Sequence, residues 1–430
     1  MAQSTILKGL QISKQIPFRD PDALFALAGT DGAGKNAYLP VGIGMLNQHM
    51  LLLGEGGVGK TNMLLHLARN LRANLTPEDC LVLFDPAGMV HQALYQMGDT
   101  VLASDERAGT GQETVRWNLF QELSEARLLE DASALCDNLF QRRIAEAGEP
   151  FYGTAARDLT MALIVYLKRR GDPELCDHRA LRELIDSFDA ESMREILASE
   201  PELRAYARYL DDGDPLRLQG VVAALQQAAR ELFSGCFGDK GTFSVRSLVR
   251  QRGGQVVFIC YDPARGEQAA SVCGALCELA LQEKLSGGSS KGRLFLLLDD
   301  FCLLPRLKRL ETALALGRNQ NVSLCLAASG VEAVENRYGE QTPSLLSAIG
   351  VTVAFRLRDR KSRDYVKGLY GWRRAVETWQ STVPMRGMLE QAVDEHVISD
   401  EDLTALQTGE SLIAMQHYPP FSFRLKPYGK

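Results

Sequence analysis

The chain has 430 residues, 45% of them hydrophobic and 24% charged, with a formal net charge of −6. It is long enough for one large or two ordinary domains around a sizeable core, and the balance excludes a disordered or fibrous chain. The acidic total argues against a surface coated with basic residues for duplex DNA, and no apolar run reaches the roughly 18 residues that span a bilayer.

In chain order, Met1 to Gln15 carries Lys8 and Lys14 among few apolar residues and does not read as a secretion signal. The expectation is a cytoplasmic protein, or one held at the membrane through a partner. Gly29-Thr30-Asp31-Gly32-Ala33-Gly34-Lys35-Asn36 has the glycine and lysine spacing of a phosphate-binding loop. Asn36 stands where a hydroxyl is needed, and Pro40 interrupts any following helix, so the segment reads as a hairpin turn without chemistry.

The strand-like run Met50 to Leu53 leads into Gly54-Glu55-Gly56-Gly57-Val58-Gly59-Lys60-Thr61 and a helix-like run from Asn62 to Leu71. This is the G-x-x-x-x-G-K-[ST] pattern in a strand-loop-helix setting, which binds a nucleoside triphosphate. Glycines let successive backbone N–H groups turn onto the phosphates, and the helix adds its positive end. Residues Gly54 to Asn62 are therefore expected to hold the nucleotide. Lys60 would reach the β- and γ-phosphates, and Thr61 would ligate Mg²⁺.

Further short apolar runs at Leu81–Phe84, Val256–Tyr261, Leu294–Leu298, Val322–Ala327 and Val351–Phe355 alternate with amphipathic stretches. That is how a mostly parallel sheet covered by helices reads, an α/β core. Between Phe84 and Val256 the patterns are helical: 123–145, 153–170, 179–188, 191–199 and 216–233. A crossover needs only about a dozen residues, so the surplus predicts an inserted all-α domain at 123–235, between nucleotide-binding parts at 1–122 and 236–430. Ser286 to Gly292 reads as a flexible loop.

Arg293 to Asp300 is an apolar strand ending in two carboxylates, the form of a Walker B segment. Asp299 is expected on the Mg²⁺ shell, with Asp300 polarising the attacking water; two acids capping the next helix is the plainer alternative. Arg318, at the end of the helical run from Glu311, either complements the helix dipole or projects into a neighbour's site as an arginine finger. Residues 355–374 contain eight basic and two acidic residues interleaved with Tyr365, Tyr370 and Trp372. They could grip phosphate and stack bases, or form a solvated helix face with buried aromatics, the commoner outcome. Nine scattered cysteines and six scattered histidines have no metal-site or triad spacing.

Together these motifs resemble the type IV secretion coupling proteins, over roughly residues 40 to 425. Leu83-Phe84-Asp85-Pro86-Ala87-Gly88 is similar to the family's D-P-K-G-E strand end, and Trp117-Asn118-Leu119 lies near its N-P motif. Gly153 to Arg157 is similar to the opening of a helix in its all-α domain. Leu298-Asp299-Asp300-Phe301, Leu310 to Leu314, Gly317-Arg318-Asn319 and Tyr338-Gly339-Glu340 resemble the L-D-E-F, L-E-x-x-L, G-R and Y-G-E series in order. Asp359, Tyr365, Tyr370 and Gly371 resemble the next stretch.

The resemblance implies a RecA-like P-loop ATPase core, a homohexameric ring using ATP and Mg²⁺, DNA or protein as cargo, and a type IV secretion machine as partner. Lys60, Asp300 and Arg318 take the catalytic roles, and Thr61 and Asp299 the metal. Several features depart from the family: no transmembrane helices are evident, Ala87 replaces a lysine, and Asp300 replaces the usual glutamate. Ala328 and Ser329 also stand where a glutamine is expected. A form docking onto a separate membrane-anchored partner at the inner face of the bacterial inner membrane is implied. The rivals are another ring DNA translocase, or a nucleotide-binding adaptor with little turnover.

Overall fold

The computed structural model describes residues 3–429 except 106–114, 147, 188, 212, 252, 264–267, 287–291 and 381–387. The strands are β1 (Gln3–Lys8), β2 (Phe25–Asp31), β3 (Asn36–Val41), β4 (Met50–Leu53), β5 (Cys80–Phe84), β6 (Thr100–Ala103) and β7 (Gln255–Cys260). They continue with β8 (Leu294–Leu298), β9 (Val322–Ala328), β10 (Val351–Ala354), β11 (Trp372–Gln380), β12 (Met388–His396), β13 (Glu410–Met415) and β14 (Phe421–Leu425). Two compact units result: Met1–Asn74 with Leu296–Cys302 and Leu314–Lys430, and Leu75–Phe295 with Leu303–Ala313.

In the first unit the strand order is β3-β2-β14-β13-β10-β4-β9-β8. β10, β4 and β9 pair in parallel. Every residue of β4 and β9 is buried, as central parallel strands covered on both faces require. From β10 outward the sheet turns antiparallel through β13, β14, β2 and β3. The expected glycine turn is the β2–β3 hairpin, where Asp31 Oδ1 accepts from the Ala33 and Lys35 N–H groups at 3.0 and 2.9 Å. β3 reaches β4 through a short helix, Ile43–Leu46, rather than directly. A separate sheet pairs β1 with β11 and β11 with β12, all antiparallel.

The second unit holds the parallel strands β5, β7 and β6. Its helices include Leu128–Glu146, Pro150–Arg170, His178–Asp186, Ala190–Ser199 and Pro215–Leu232, each close to its predicted span. The first begins five residues later than read from the sequence, because Asn118 caps a tight turn at Leu119–Glu122 through its Oδ1 and the Phe120 N–H. Helix Gln268–Leu285, apolar on nearly every face, packs on β7 and on three other helices of the unit, and its burial explains that composition.

Two segments lock the ends of the helical stretch together. Asn118 donates to Cys176 O and Gly241 O, both at 2.9 Å. Buried Glu122 accepts from Trp117 Nε1, Ser244 Oγ and the Val245 and Arg246 N–H groups, capping helix Val245–Gln251. Arg246 in turn reaches Asp131 at 2.9 Å. The linker read at 286–292 falls largely on 287–291, outside the described residues.

Candidate functional site

All motif residues expected to hold nucleotide and metal lie in the first unit. β4 ends at Leu53, level with Ala328 of β9 and Ala354 of β10. Beyond it the chain turns through Gly54–Gly59 into helix Lys60–Ala73, whose Met63, Leu64, Leu67, Ala68 and Leu71 face the core. Gly57 and Gly59 have φ of 75° and 124°, the left-handed region that glycine alone enters freely. At Gly54 a Cβ would come within 2.7 Å of Phe355 Cβ and Val58 Cγ2, so the loop also needs glycine for space.

Lys60 is 7% exposed, and its Nζ donates to Gly54 O at 2.7 Å and Glu55 O at 2.9 Å, lying back across the loop. Thr61 Oγ1 donates to Asp299 Oδ2 at 3.0 Å, joining the loop to the end of β8. A hydroxyl and a carboxylate held together at the first turn of this helix are the donor set a hard divalent cation takes beside a triphosphate. Asp300 follows with φ 43°, and its Oδ1 stands 4.0 Å from Lys60 Nζ. The left-handed backbone swings this carboxylate out of line with Asp299 and toward the loop. Two acids at the strand end thus have different environments: Asp299 buried at 5%, Asp300 side chain 47% exposed.

Asn62, read as part of the nucleotide site, gives its side chain to the C-terminal segment. Its Nδ2 donates to Lys426 O at 3.1 Å, and its Oδ1 accepts from the Tyr428 N–H at 2.7 Å. His66 also meets Lys426 O, and Arg69 lies over the Tyr428 ring. Glu55 faces Arg358 at 3.3 Å and Arg356 at 3.9 Å. These two arginines border the loop and were missed as site residues; the signal was the basic run beginning at residue 356. Gly409, whose N–H donates to Val58 O at 2.9 Å, was missed as well and is a lone glycine before β13.

Arg318 is exposed on a tight turn, Gly317–Gln320, before the start of β9. The loop at Gly54 sits at the other end of β9, about 20 Å away at ~3.3 Å per residue. Arg318 cannot reach the phosphate loop of its own chain. Beneath its turn, His49 Nδ1 accepts from the Leu324 N–H at 3.2 Å, and a Cβ on Gly317 would lie 3.1 Å from His49 Cε1. Burial pushes the His49 imidazole down to about 4, partly opposed by the Leu314 backbone.

The remaining motifs are structural. Asp85, fully buried after β5, accepts from the His91 N–H at 2.7 Å, and burial raises its carboxyl. Tyr338 is buried with its ring 5.8 Å from Phe301. Asp359 caps helix Arg360–Gly368 through the Ser362 N–H. Each of the eight basic residues at 356–374 has a carboxylate within ion-pair reach: Glu55, Asp364, Glu335, Asp400, Glu395 or Asp394. Tyr365 and Tyr370 are inward and hydrogen-bonded, whereas Trp372, 65% exposed, stacks on His396 at 3.9 Å. The segment is a solvated, charge-paired face with half-buried tyrosines. Among the described residues no helix is long and apolar enough to cross a membrane.

A family model described as the type IV secretion-system coupling protein DNA-binding domain matches residues 27–425. No curated protein matches the sequence. Among solved structures, the bacterial conjugative coupling protein TrwBdeltaN70 in an unbound form is similar, with a TM-score of 0.76 at 18% identity, covering 98% of this chain and 94% of that one. The plasmid coupling protein TrwB in complex with ADP and Mg²⁺ has a TM-score of 0.74 at 18% identity over the same shares. VirB4 of Thermoanaerobacter pseudethanolicus has a TM-score of 0.52 at 14% identity, covering 96% of this chain and 99% of that one. At these identities the likeness is one of fold, a RecA-like P-loop core.

Proposed function

Because the chain belongs to the type IV secretion-system coupling protein DNA-binding domain family, we propose that it is an ATPase that recruits or moves DNA or protein cargo for a conjugation or type IV secretion machine. The observation that carries this reading is the Thr61–Asp299 hydrogen bond of 3.0 Å, which unites two motifs 238 residues apart at the head of one helix. ATP and Mg²⁺ suit this donor set, and the similar protein TrwB has been solved in complex with ADP and Mg²⁺. When bound, Mg²⁺ would neutralise charge on the β- and γ-phosphate oxygens.

The chain's own groups divide the remaining work. Loop N–H groups from Gly54 to Thr61 cradle the phosphates. Lys60, now on the Gly54 and Glu55 carbonyls, would serve phosphate oxygens, and Thr61 and Asp299 would hold the metal shell. Asp300 orients the attacking water and accepts its proton. Arg318, out of reach of its own loop, serves a neighbouring copy, which supports a ring, with six copies as the family resemblance implies. The segment 123–235 is assigned as an inserted helical domain between nucleotide-binding parts at 1–122 and 236–430. Work at the inner face of the bacterial membrane, against a membrane-anchored partner, completes the proposal.

ATP hydrolysis measured with and without single-stranded and duplex DNA, together with mass in solution, tests this reading. We expect DNA-stimulated turnover by a multi-subunit ring. Lys60→Ala should weaken nucleotide affinity about 10- to 100-fold, since charge-assisted bonds contribute roughly 1.5–3 kcal/mol each, and should abolish turnover. A chain that stays monomeric with ATP, or hydrolysis that survives Lys60→Ala, would sink it. Asp300, shorter than glutamate and set at φ 43°, favours one second reading, a nucleotide-binding adaptor. Tight ATP binding without Lys60-dependent turnover would select it.

A further inference from the structure

Within the first unit, a cavity of about 770 Å³ lies away from the phosphate loop. It opens where β10 begins and β13 ends, at Gly350–Thr352 and Ala414–Met415, the opposite end of these strands from Ala354 and the loop. Helix Val331–Tyr338, helix Thr342–Ser347 and helix Arg360–Gly368 complete the wall. Val331, Leu346, Ile349, Leu369, Ala414 and Met415 make it mostly apolar. The size falls within the roughly 300–1,000 Å³ typical of small-molecule sites.

Most polar side chains of the wall are already paired, Gln416 and His417 are exposed, and one buried hydroxyl stands apart. Glu335 pairs with Lys361, and Asp364 pairs with Lys367 at 2.9 Å and Arg360 at 3.4 Å, so the carboxylates of the wall are balanced by cations of the same chain. Tyr365 OH meets Thr352 Oγ1 at 3.3 Å, Tyr370 OH meets the Met415 and Tyr418 carbonyls, and Ser347 meets Ser344 O. Thr342 differs. It is 2% exposed, and its Oγ1 has no hydrogen-bond partner. A buried hydroxyl left unmatched is costly, and beside a cavity it marks where a ligand group would be rewarded.

We propose that this cavity binds a neutral, mainly apolar small molecule carrying one hydrogen-bonding group, at a site separate from the nucleotide. The carboxylates and the lysine of the wall are already paired within the chain, and an apolar body with one hydroxyl or carbonyl matches both the wall and Thr342. The proposal does not depend on turnover.

The test titrates the intact chain with the neutral fluorophore N-phenylnaphthylamine, displaces it with dodecanol, and repeats both in two variants. Gly368 lines the cavity, and a Cβ there meets nothing within 4 Å, so Gly368→Trp places a bulky side chain at the wall without a clash at Cβ. Saturable binding of one fluorophore per chain, displaced by dodecanol and weakened about tenfold or more in Gly368→Trp, is the expected result. Thr342→Val should weaken dodecanol roughly 3- to 10-fold, the worth of one hydrogen bond. Unchanged ATP binding in both variants shows that the fold survives. Non-saturable fluorescence, or equal affinity in Gly368→Trp, overturns the proposal. So does binding by the dilute chain that vanishes on assembly, since a second copy would then fill the cavity.

Discussion

At Asp300 the chain accepts a φ of 43° that most side chains avoid, and this places a carboxylate beside Lys60. Asparagine tolerates the same backbone, so Asp300→Asn removes charge with little strain. Nucleotide affinity should then change by less than about twofold, while turnover falls about 100-fold, the usual worth of a general base. Stopped-flow binding and steady-state hydrolysis separate the two, and undiminished turnover would remove Asp300 from the proton path. His49 supports a different measurement. Its folded value of about 4 lies below the ordinary 6.5, so the unfolded chain takes up a proton in that window and the folded chain does not. Its contribution is complete above pH 6.5 and lost as pH falls toward 4. His49→Asn keeps the left-handed backbone and an acceptor, and should flatten the pH dependence by about one proton, roughly 1.4 kcal/mol per pH unit, read from hydrogen exchange of β9 amides. A slope matching the parent would mean that His49 is not the group responsible. The phosphate loop was legible in the sequence because its chemistry is local: eight consecutive residues carry it. The turn of Asp300, the distance of Arg318 from its own loop and the tie of Asn62 to Tyr428 depend on pairings across the fold, which no local pattern encodes.

Elements follow the same division. Central strands such as β4, β8 and β9 are continuous apolar runs, and their spans were readable within a residue or two. β11 (Trp372–Gln380) and β12 (Met388–His396) have no regular alternation of polar and apolar residues, and β11 to β14 all pair antiparallel, partly with distant segments, so periodicity alone did not expose them. The five helices between Leu128 and Leu232 were readable from amphipathicity, whereas the clamp that closes them was not. Glu122 gathers four donors and caps helix Val245–Gln251 from 122 residues or more away in the chain. Its replacement by Ala strands those donors in a buried place and should cost about 3 kcal/mol. Calorimetry should show an earlier transition, with faster amide exchange in 115–122 and 241–251 while the amides of β4 stay protected. Equal protection at both places would refute the clamp.

For the whole molecule, the proposed role of Arg318 in a neighbour's site would set the terms of assembly. Its turn and the phosphate loop occupy opposite ends of β9, so a chain presents an arginine at one end and a nucleotide site at the other. Contacts of that kind are heterologous, and they close only into a ring or continue as a filament. Arg318→Ala should leave nucleotide affinity of the dilute chain unchanged while lowering ring turnover by roughly 1,000-fold. Mixing Arg318→Ala chains with Lys60→Ala chains should restore part of the activity, since some junctions then hold an intact loop opposite an intact arginine. Mixtures as inactive as either parent would show that Arg318 serves no neighbour.

The segment at Lys426–Tyr428 is hydrogen-bonded to the start of the phosphate helix. Asn62 grips Lys426 and Tyr428 one residue after Thr61, across a separation of 366 residues to Tyr428. Order in the first turn of the phosphate helix and order in the backbone at Lys426–Tyr428 are thereby tied through one side chain.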